Sequence, residues 1–202
     1  DIAVAVAEAA AGPDYPVAMN ASAKALGMTG TNFTNANGLH SVKNYTTARD
    51  LAVLTRAIRT EFPQYSSYFG IEAVKYGATV ERNYNILLGR FAGADGMKTG
   101  FVCASGFNLV GTATQNGRTL AAIVLGEKSQ VARAEKAANL LAEGFYAATT
   151  GTTLAALAND PASKAKDMRA EVCTEAAAAD RWDGREIDGR VTFSTPYIRK
   201  ME

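Results

Sequence analysis

Lys98-Thr99-Gly100 stands inside the run Asp95-Gly96-Met97-Lys98-Thr99-Gly100-Phe101, and Ser105-Gly106-Phe107-Asn108-Leu109-Val110 follows it. A cationic ammonium beside a hydroxyl makes a carboxylate-recognition pair. A neighbouring glycine lets an extended peptide lie close against the backbone. On an exposed edge strand, such a peptide could add by β-pairing. The plain alternative is a solvated Lys-Thr-Gly turn, and the tripeptide alone does not decide between the two. Cys103 and Cys173 are the chain's two cysteines, too few for a disulfide scaffold or a structural zinc site. They are either two unrelated buried thiols or, in a secreted protein, one bridge. His40 is the single histidine and lies in a Gly-Leu-His-Ser turn without a motif around it. No second ligand type clusters near it, so no metal and no cofactor are expected.

The elements that must position Lys98 are legible from periodicity. Met97 to Cys103, Phe107 to Ala113 and Thr119 to Leu125 read as an antiparallel meander. Asn116-Gly117 between the last two is a hairpin signal, because both residues tolerate positive φ. These strands are small and apolar on both faces, the pattern of a sheet covered by helices on each side. Ser129 predicts the cap of a helix to about Phe145, with Val131, Ala134, Ala138, Leu141 and Phe145 as its buried stripe. Ile71 to Gly77 alternates and predicts another strand. Upstream, Ile2 to Ala11 reads as a helix with Asp1 as cap, stopped by Gly12-Pro13. Val17 to Leu26 predicts a second helix ending at Gly27. A third starts at Thr46-Thr47, where Thr47 and Asp50 resemble a capping box, and its stripe is Leu51, Leu54, Ile58 and Phe62. Pro63 ends it. Helices, an antiparallel sheet and a packing helix define an α+β layered domain.

Composition narrows the functional classes. The chain has 202 residues, with Lys plus Arg 21 against Asp plus Glu 20. No charge excess supports binding to nucleic acid. Apolar runs such as Leu120 to Leu125 are far too short to span a bilayer. Composition shifts at Thr149 to Thr153. We therefore expect one domain over residues 1–148, which the resemblance described below implies is the C-terminal portion of a catalytic domain, and a C-terminal extension over 149–202. Within the extension, Asp160 to Ala179 predicts partial helix and Val191 to Ile198 a short strand.

From Asp1 to about Phe145 the chain resembles the low-molecular-mass D-alanyl-D-alanine carboxypeptidases of the penicillin-binding, serine β-lactamase-like superfamily. The matching pieces are Asp1 to Gly12, Met19-Asn20, Leu26-Gly27-Met28, Asn37-Gly38-Leu39, Thr46 to Leu54, Arg82-Asn83 to Leu88-Gly89, the Lys98 block and the Arg133 helix. The Gly12 to Pro16 connection is about two residues shorter than in that family. The resemblance implies a β-lactamase/transpeptidase-like fold, an antiparallel central sheet flanked by helices, incomplete at the N-terminus. Of the family's motifs Ser-x-x-Lys, Ser-x-Asn and Lys-Thr-Gly, only the third is in place. Asp1 matches the residue directly after Ser-x-Asn, so the nucleophilic serine and its lysine base are expected in an upstream segment of the same protein. The string Ser163-Lys164-Ala165-Lys166 lies after Lys-Thr-Gly and reads as chance.

The resemblance also implies roles. Lys98 would steer the peptide's terminal carboxylate, and Thr99 would hydrogen-bond it. Gly100 would let the peptide approach. The Phe101 N–H would form half of an oxyanion hole. Arg82 and Arg133 would lie near the carboxylate end of the site, or be ordinary surface or ion-pair arginines. The partners implied are a peptidoglycan stem peptide ending in D-Ala-D-Ala and β-lactam antibiotics as covalent inhibitors. The location implied is periplasmic or otherwise extracytoplasmic, with any membrane association made through a segment outside these residues. Two rivals stand beside this reading. A class A-like β-lactamase needs Glu-x-x-x-Asn, and Glu81 to Asn85 fits that string, yet Glu81 lies only 17 positions before Lys98. A non-catalytic module that binds cell-wall peptide is the other. A serine–histidine triad would have to use His40, which nothing in the sequence supports.

Overall fold

Two buried charged side chains, Asp50 and Arg133, each organise one of the two compact units into which the chain divides. The computed structural model describes residues 2–149, 151–159, 165–180 and 193–199. The first unit is Asp1–Glu61 with Gly151–Lys164, and the second is Phe62–Thr150 with Ala165–Glu202.

In the first unit, helix α1 (Ile2–Ala11) contacts helix α2 (Tyr15–Ala25). The expected Asp1 cap lies outside the described residues. Helix α2 ends in a Schellman-type turn, in which Met28 N donates to the Ala23 carbonyl at 2.9 Å and both residues are buried. Helix α3 (Ala48–Glu61) starts where the sequence predicts it. Thr47 Oγ1 accepts from Asp50 N at 3.1 Å, half of the expected capping box. The other half is absent, because the Asp50 carboxylate turns inward. It accepts from Gly30 N at 2.7 Å, Thr31 Oγ1 at 2.7 Å, Arg49 Nη1 at 3.0 Å and Asn159 Nδ2 at 2.9 Å. Asp50 is 0 % exposed. Burial by itself raises its pKa. The hydrogen bonds from Asn159, Thr31, Arg49 and Gly30 outweigh burial and hold the carboxyl below the usual range. The apolar stripe of α3 is less deeply placed than expected: Leu51, Leu54 and Ile58 are half-buried and Phe62 is exposed, whereas Asp50 and Thr55 are buried.

In the second unit, a short helix α4 (Ser66–Phe69) precedes an exposed hairpin of β1 (Ala73–Tyr76) and β2 (Thr79–Arg82). The predicted meander is present as β3 (Ala94–Val102), β4 (Gly106–Gln115) and β5 (Arg118–Glu127), in the order β3-β4-β5. Asn116 at φ 51° and Gly117 at φ 75° form the β4–β5 turn. Helix α5 (Gln130–Tyr146) starts at Ser129, whose Oγ accepts from Ala132 N at 3.0 Å. It packs on the sheet face that carries Leu109, Gly111, Ala122 and Val124, and Ala134, Ala137, Ala138 and Leu141 complete this core. The other face carries Lys98, Val110 and Ile123. Among the described residues that face is only partly covered, so the two-sided burial read from the strands is complete on the α5 side alone.

The extension divides between the units. Residues 151–159 belong to the first, where Asn159 meets Asp50. Residues 165–180 and 193–199 pack in the second, with Met168, Val172 and Ile198 buried. Among the described residues of 165–199, helix is confined to α6 (Arg169–Val172) and α7 (Glu175–Asp180). The expected strand at Val191 to Ile198 is a set of turns over 193–199, and residues 191 and 192 lie outside the described residues. Pro196 has no N–H for a ladder, and the Thr195 hydroxyl bonds Asn139 Oδ1 at 2.6 Å instead. Cys103 and Cys173 form a disulfide across a separation of 70 residues.

Asp50→Ala strands several donors at once and is expected to cost about 3 kcal/mol at neutral pH. Because the folded pKa is depressed, the Asp50 contribution is full above the unfolded value of about 3.9 and is lost as pH falls through the folded one. Urea melts of both proteins should therefore converge only in strong acid. Reducing the disulfide is expected to lower stability by about 4 kcal/mol in the chain-entropy model, read as a lower urea midpoint.

Candidate active-site strand

Strand β3 pairs only with β4 among the described residues. Which groups face its other edge follows from Arg133. One of its nitrogens, Nη1, lies 3.3 Å from the Gly100 carbonyl oxygen and 3.2 Å from that of Asn108. Gly100 and Asn108 are directly opposed across the β3–β4 pair. One nitrogen reaches both oxygens only if both carbonyls point into the space between the strands. That makes Gly100 and Asn108 a hydrogen-bonded pair, and antiparallel alternation then turns the N–H and C=O groups of Thr99 and Phe101 to the open edge. The Lys98 ammonium is at the same edge, because it donates to the Thr99 carbonyl at 2.5 Å. The Lys98 ammonium and the backbone groups of Thr99 and Phe101 thus lie along one strand edge, whereas the Thr99 side chain, opposite Leu109, belongs to the α5 face.

Arg133 itself is 3 % exposed. Besides the two strand carbonyls, its Nη2 donates to the Tyr84 carbonyl at 2.8 Å, and its guanidinium stands 5.5 Å from the Phe107 ring centroid. Among the described residues no carboxylate pairs with it. Burial pushes its pKa down to about 10. The Lys98 side chain is accessible, yet its ammonium is crowded by protein. Desolvation first, and the Arg133 charge second, hold its pKa below the ordinary lysine value.

Three further side chains fix the start of β3. Asn85, buried, donates from Nδ2 to the Gly96 carbonyl at 2.7 Å and accepts from Leu87 N at 3.2 Å. Asp95 accepts from the Thr112 and Thr114 hydroxyls, each at 2.6 Å. At the other end, the turn between β3 and β4 closes through Ser105 N to the Val102 carbonyl at 3.0 Å, with Gly106 at φ 67°. A Cβ at position 106 would come within 2.9 Å of the Glu127 carbonyl oxygen, so only glycine fits. Sequence reading did not single out Asn85, Asp95 or Tyr84 for this strand. The Asn83-Tyr84-Asn85 pattern was the available signal.

The other candidates lie on other elements. Arg82 ends the exposed hairpin and has no hydrogen bond to the Lys98 strand. Glu81, the residue a β-lactamase reading would use, is exposed on β2 opposite Val74. His40 is exposed in the first unit. Among the described residues no group of His, Cys, Asp or Glu could hold a metal ion. Ser163 and Lys164 lie outside the described residues.

This arrangement of helices on an antiparallel sheet is that of penicillin-binding proteins. The chain superposes on penicillin-binding protein D2 of Listeria monocytogenes in its cefotaxime-bound form with a TM-score of 0.67, at 31 % identity over 72 % of this chain and 60 % of that one. Against penicillin-binding protein 6B of Escherichia coli the TM-score is 0.66, at 33 % identity over 71 % and 46 % of the two chains. The D-alanyl-D-alanine carboxypeptidase family model, peptidase S11, matches residues 1–129, and the chain belongs to that family. It is 35 % identical over 147 residues to the D-alanyl-D-alanine carboxypeptidase DacD of Salmonella typhimurium, covering 71 % of this chain and 38 % of the relative. To DacC of Escherichia coli it is 34 % identical over 148 residues, covering 72 % and 37 %. The chain thus spans less than two fifths of the length of these two relatives.

NMR titration of the Lys98 Nζ is expected to give a pKa below the free-lysine value of about 10.4. In an Arg133→Gln variant it should move upward, because a like charge is withdrawn. An unmoved value would show that the two cations do not sense each other.

Proposed function

We propose that the whole protein is a serine-type D-alanyl-D-alanine carboxypeptidase that removes the terminal D-Ala from peptidoglycan stem peptides through an acyl-enzyme. The serine nucleophile and its lysine base would come from polypeptide preceding these 202 residues. What supports the reading is the Lys98 ammonium beside the Thr99 carbonyl on the open edge of β3, in a chain of the S11 family. Large exposed apolar side chains in the first unit, among them Ile2, Val6 and Val42, fit a surface that further polypeptide would cover.

In this reading the substrate peptide lies along β3. Its terminal carboxylate sits at Lys98, which binds it by charge. The carbonyl to be attacked sits at the Phe101 N–H. As negative charge develops on that oxygen, the donor is worth about 3 kcal/mol of transition-state stabilisation. Attack by serine forms the acyl-enzyme and releases D-alanine, and water completes the turnover. A β-lactam presents its carboxylate and carbonyl to the same groups and acylates the same serine. Arg133 and Arg82 contribute positive potential towards the carboxylate end, Arg133 from a buried position. A disulfide favours an oxidising, extracytoplasmic compartment. No described helix is long and apolar enough to cross a membrane.

The test uses the full-length protein. Fluorescent penicillin should label it, and a D-Ala-D-Ala-ended peptide should release D-alanine. The 202-residue chain alone should remain unlabelled; labelling of that chain would place the nucleophile within it. Rapid penicillin turnover would favour the β-lactamase alternative. Lys98→Ala should slow acylation about a hundredfold. Because the Lys98 pKa is depressed, carboxylate binding should weaken as pH rises through that lowered value, before an ordinary lysine would lose its charge.

A further inference from the structure

Where the β4–β5 turn meets the end of α5, the second unit holds a half-open cavity of about 590 Å³. Its walls include Phe91 before β3, Arg118 at the start of β5, Phe145 and Tyr146 at the end of α5, and Tyr197 of the extension. Pockets for small organic ligands hold about 300–1,000 Å³, so the space suits one such molecule. Bonds outside the cavity fix its walls. Gln115 Nε2 donates to the Ala92 carbonyl at 2.8 Å, which ties the end of β4 to the segment before β3. The stretch carrying Tyr197 is held by the Thr195 hydroxyl on Asn139 and by buried Ile198. The Lys98 strand is not involved. Lys98 is opposite Val110, five residues along β4 from Gln115, which at about 3.4 Å per residue is roughly 17 Å. Lys98 also lies on the sheet face away from α5. Phe145, Tyr146 and Tyr197 fall beyond residues 1–129, which the family model matches.

Arg118 is the one charged side chain among the described residues that line this cavity. Its Nη1 donates to the Ala147 carbonyl at 3.3 Å, just past α5, and no carboxylate of the described residues pairs with it. A helix end carries about half a negative charge, so a whole guanidinium charge leaves the balance positive. A guanidinium has about five N–H donors in a fork that matches a carboxylate, and one of them serves Ala147. Around it, four aromatic side chains supply apolar area, and two of them add a hydroxyl. We propose that this cavity binds a small aromatic carboxylate, its ring among Phe91, Phe145, Tyr146 and Tyr197 and its carboxylate on Arg118. Binding there needs no serine nucleophile, so it stands apart from the functional reading above.

The experiment titrates full-length protein, isotope-labelled at its alanine methyls, with naphthoate and with the neutral naphthalenemethanol. Ala92 and Ala142 line the cavity and report on it by NMR. Saturable shifts are expected at both methyls, with naphthoate binding about tenfold more tightly than the alcohol. Arg118→Gln should bring the two ligands to within about twofold of each other, and Arg118→Lys, which keeps the charge and loses the fork, should fall between. Should Arg118→Gln fold poorly, the unaltered protein supplies the same comparison. Raising salt from about 50 to about 500 mM should weaken naphthoate several-fold and leave the alcohol unchanged. Equal binding of the two ligands, or no saturable shift at Ala92 and Ala142, overturns the inference. So does a shift of these methyls by N-acetylglucosamine where naphthoate gives none. Penicillin labelling of the same sample reads the functional proposal separately, since its failure leaves the naphthoate result intact.

Discussion

A buried guanidinium with no acidic partner among the described residues holds the second unit together. Arg133 gathers the carbonyls of Gly100, Asn108 and Tyr84, which come from β3, β4 and the segment before β3. Burying a cation is costly unless its donors are satisfied, so these three segments are held where the guanidinium needs them. The open edge of β3 is a result of that constraint, because the Gly100–Asn108 pairing fixes which backbone groups remain outward. Desolvation first, and this charge second, lower the affinity of the Lys98 ammonium for a proton.

The first unit solves the opposite problem with a buried anion. Asp50 collects donors from the 29–31 turn, from its own helix and from Asn159. Arg49 adds bonds to the Gly27 and Leu157 carbonyls, so one Arg-Asp pair ties a helix end, a loop and a later segment to α3. In both units, polar groups at the centre hold irregular backbone that apolar contacts alone would leave free to slide.

Local signals were the legible ones. Ser129 as a cap, Asn116-Gly117 as a turn and Thr47 as a helix start each depend on residues within a few positions, and all three are present as read. Lys98-Thr99-Gly100 was legible as a recognition pair because its chemistry is contiguous. Asp50 reads only as a capping-box partner, since all but one of its other contacts come from 19 to 109 residues away. The same holds for Asn85, whose bond to Gly96 depends on how the chain returns to β3. The apolar and β-branched pattern over 191–198 predicts a strand, but Pro196 cannot donate to a ladder and the described residues there form turns. The apolar stripe of α3 was correctly spaced, but spacing does not say how much covers it.

The covalent loop closed by Cys103 and Cys173 encloses β4, β5 and α5, and also residues 151–159, which belong to the other unit. The connection at 147–149 and 151–153 is exposed and without regular structure. A protease that nicks the backbone there would leave two fragments still joined through sulfur. The cut protein would migrate as one species until reduced, and the 165–173 segment would stay attached to the end of β3 after its own peptide connection was gone.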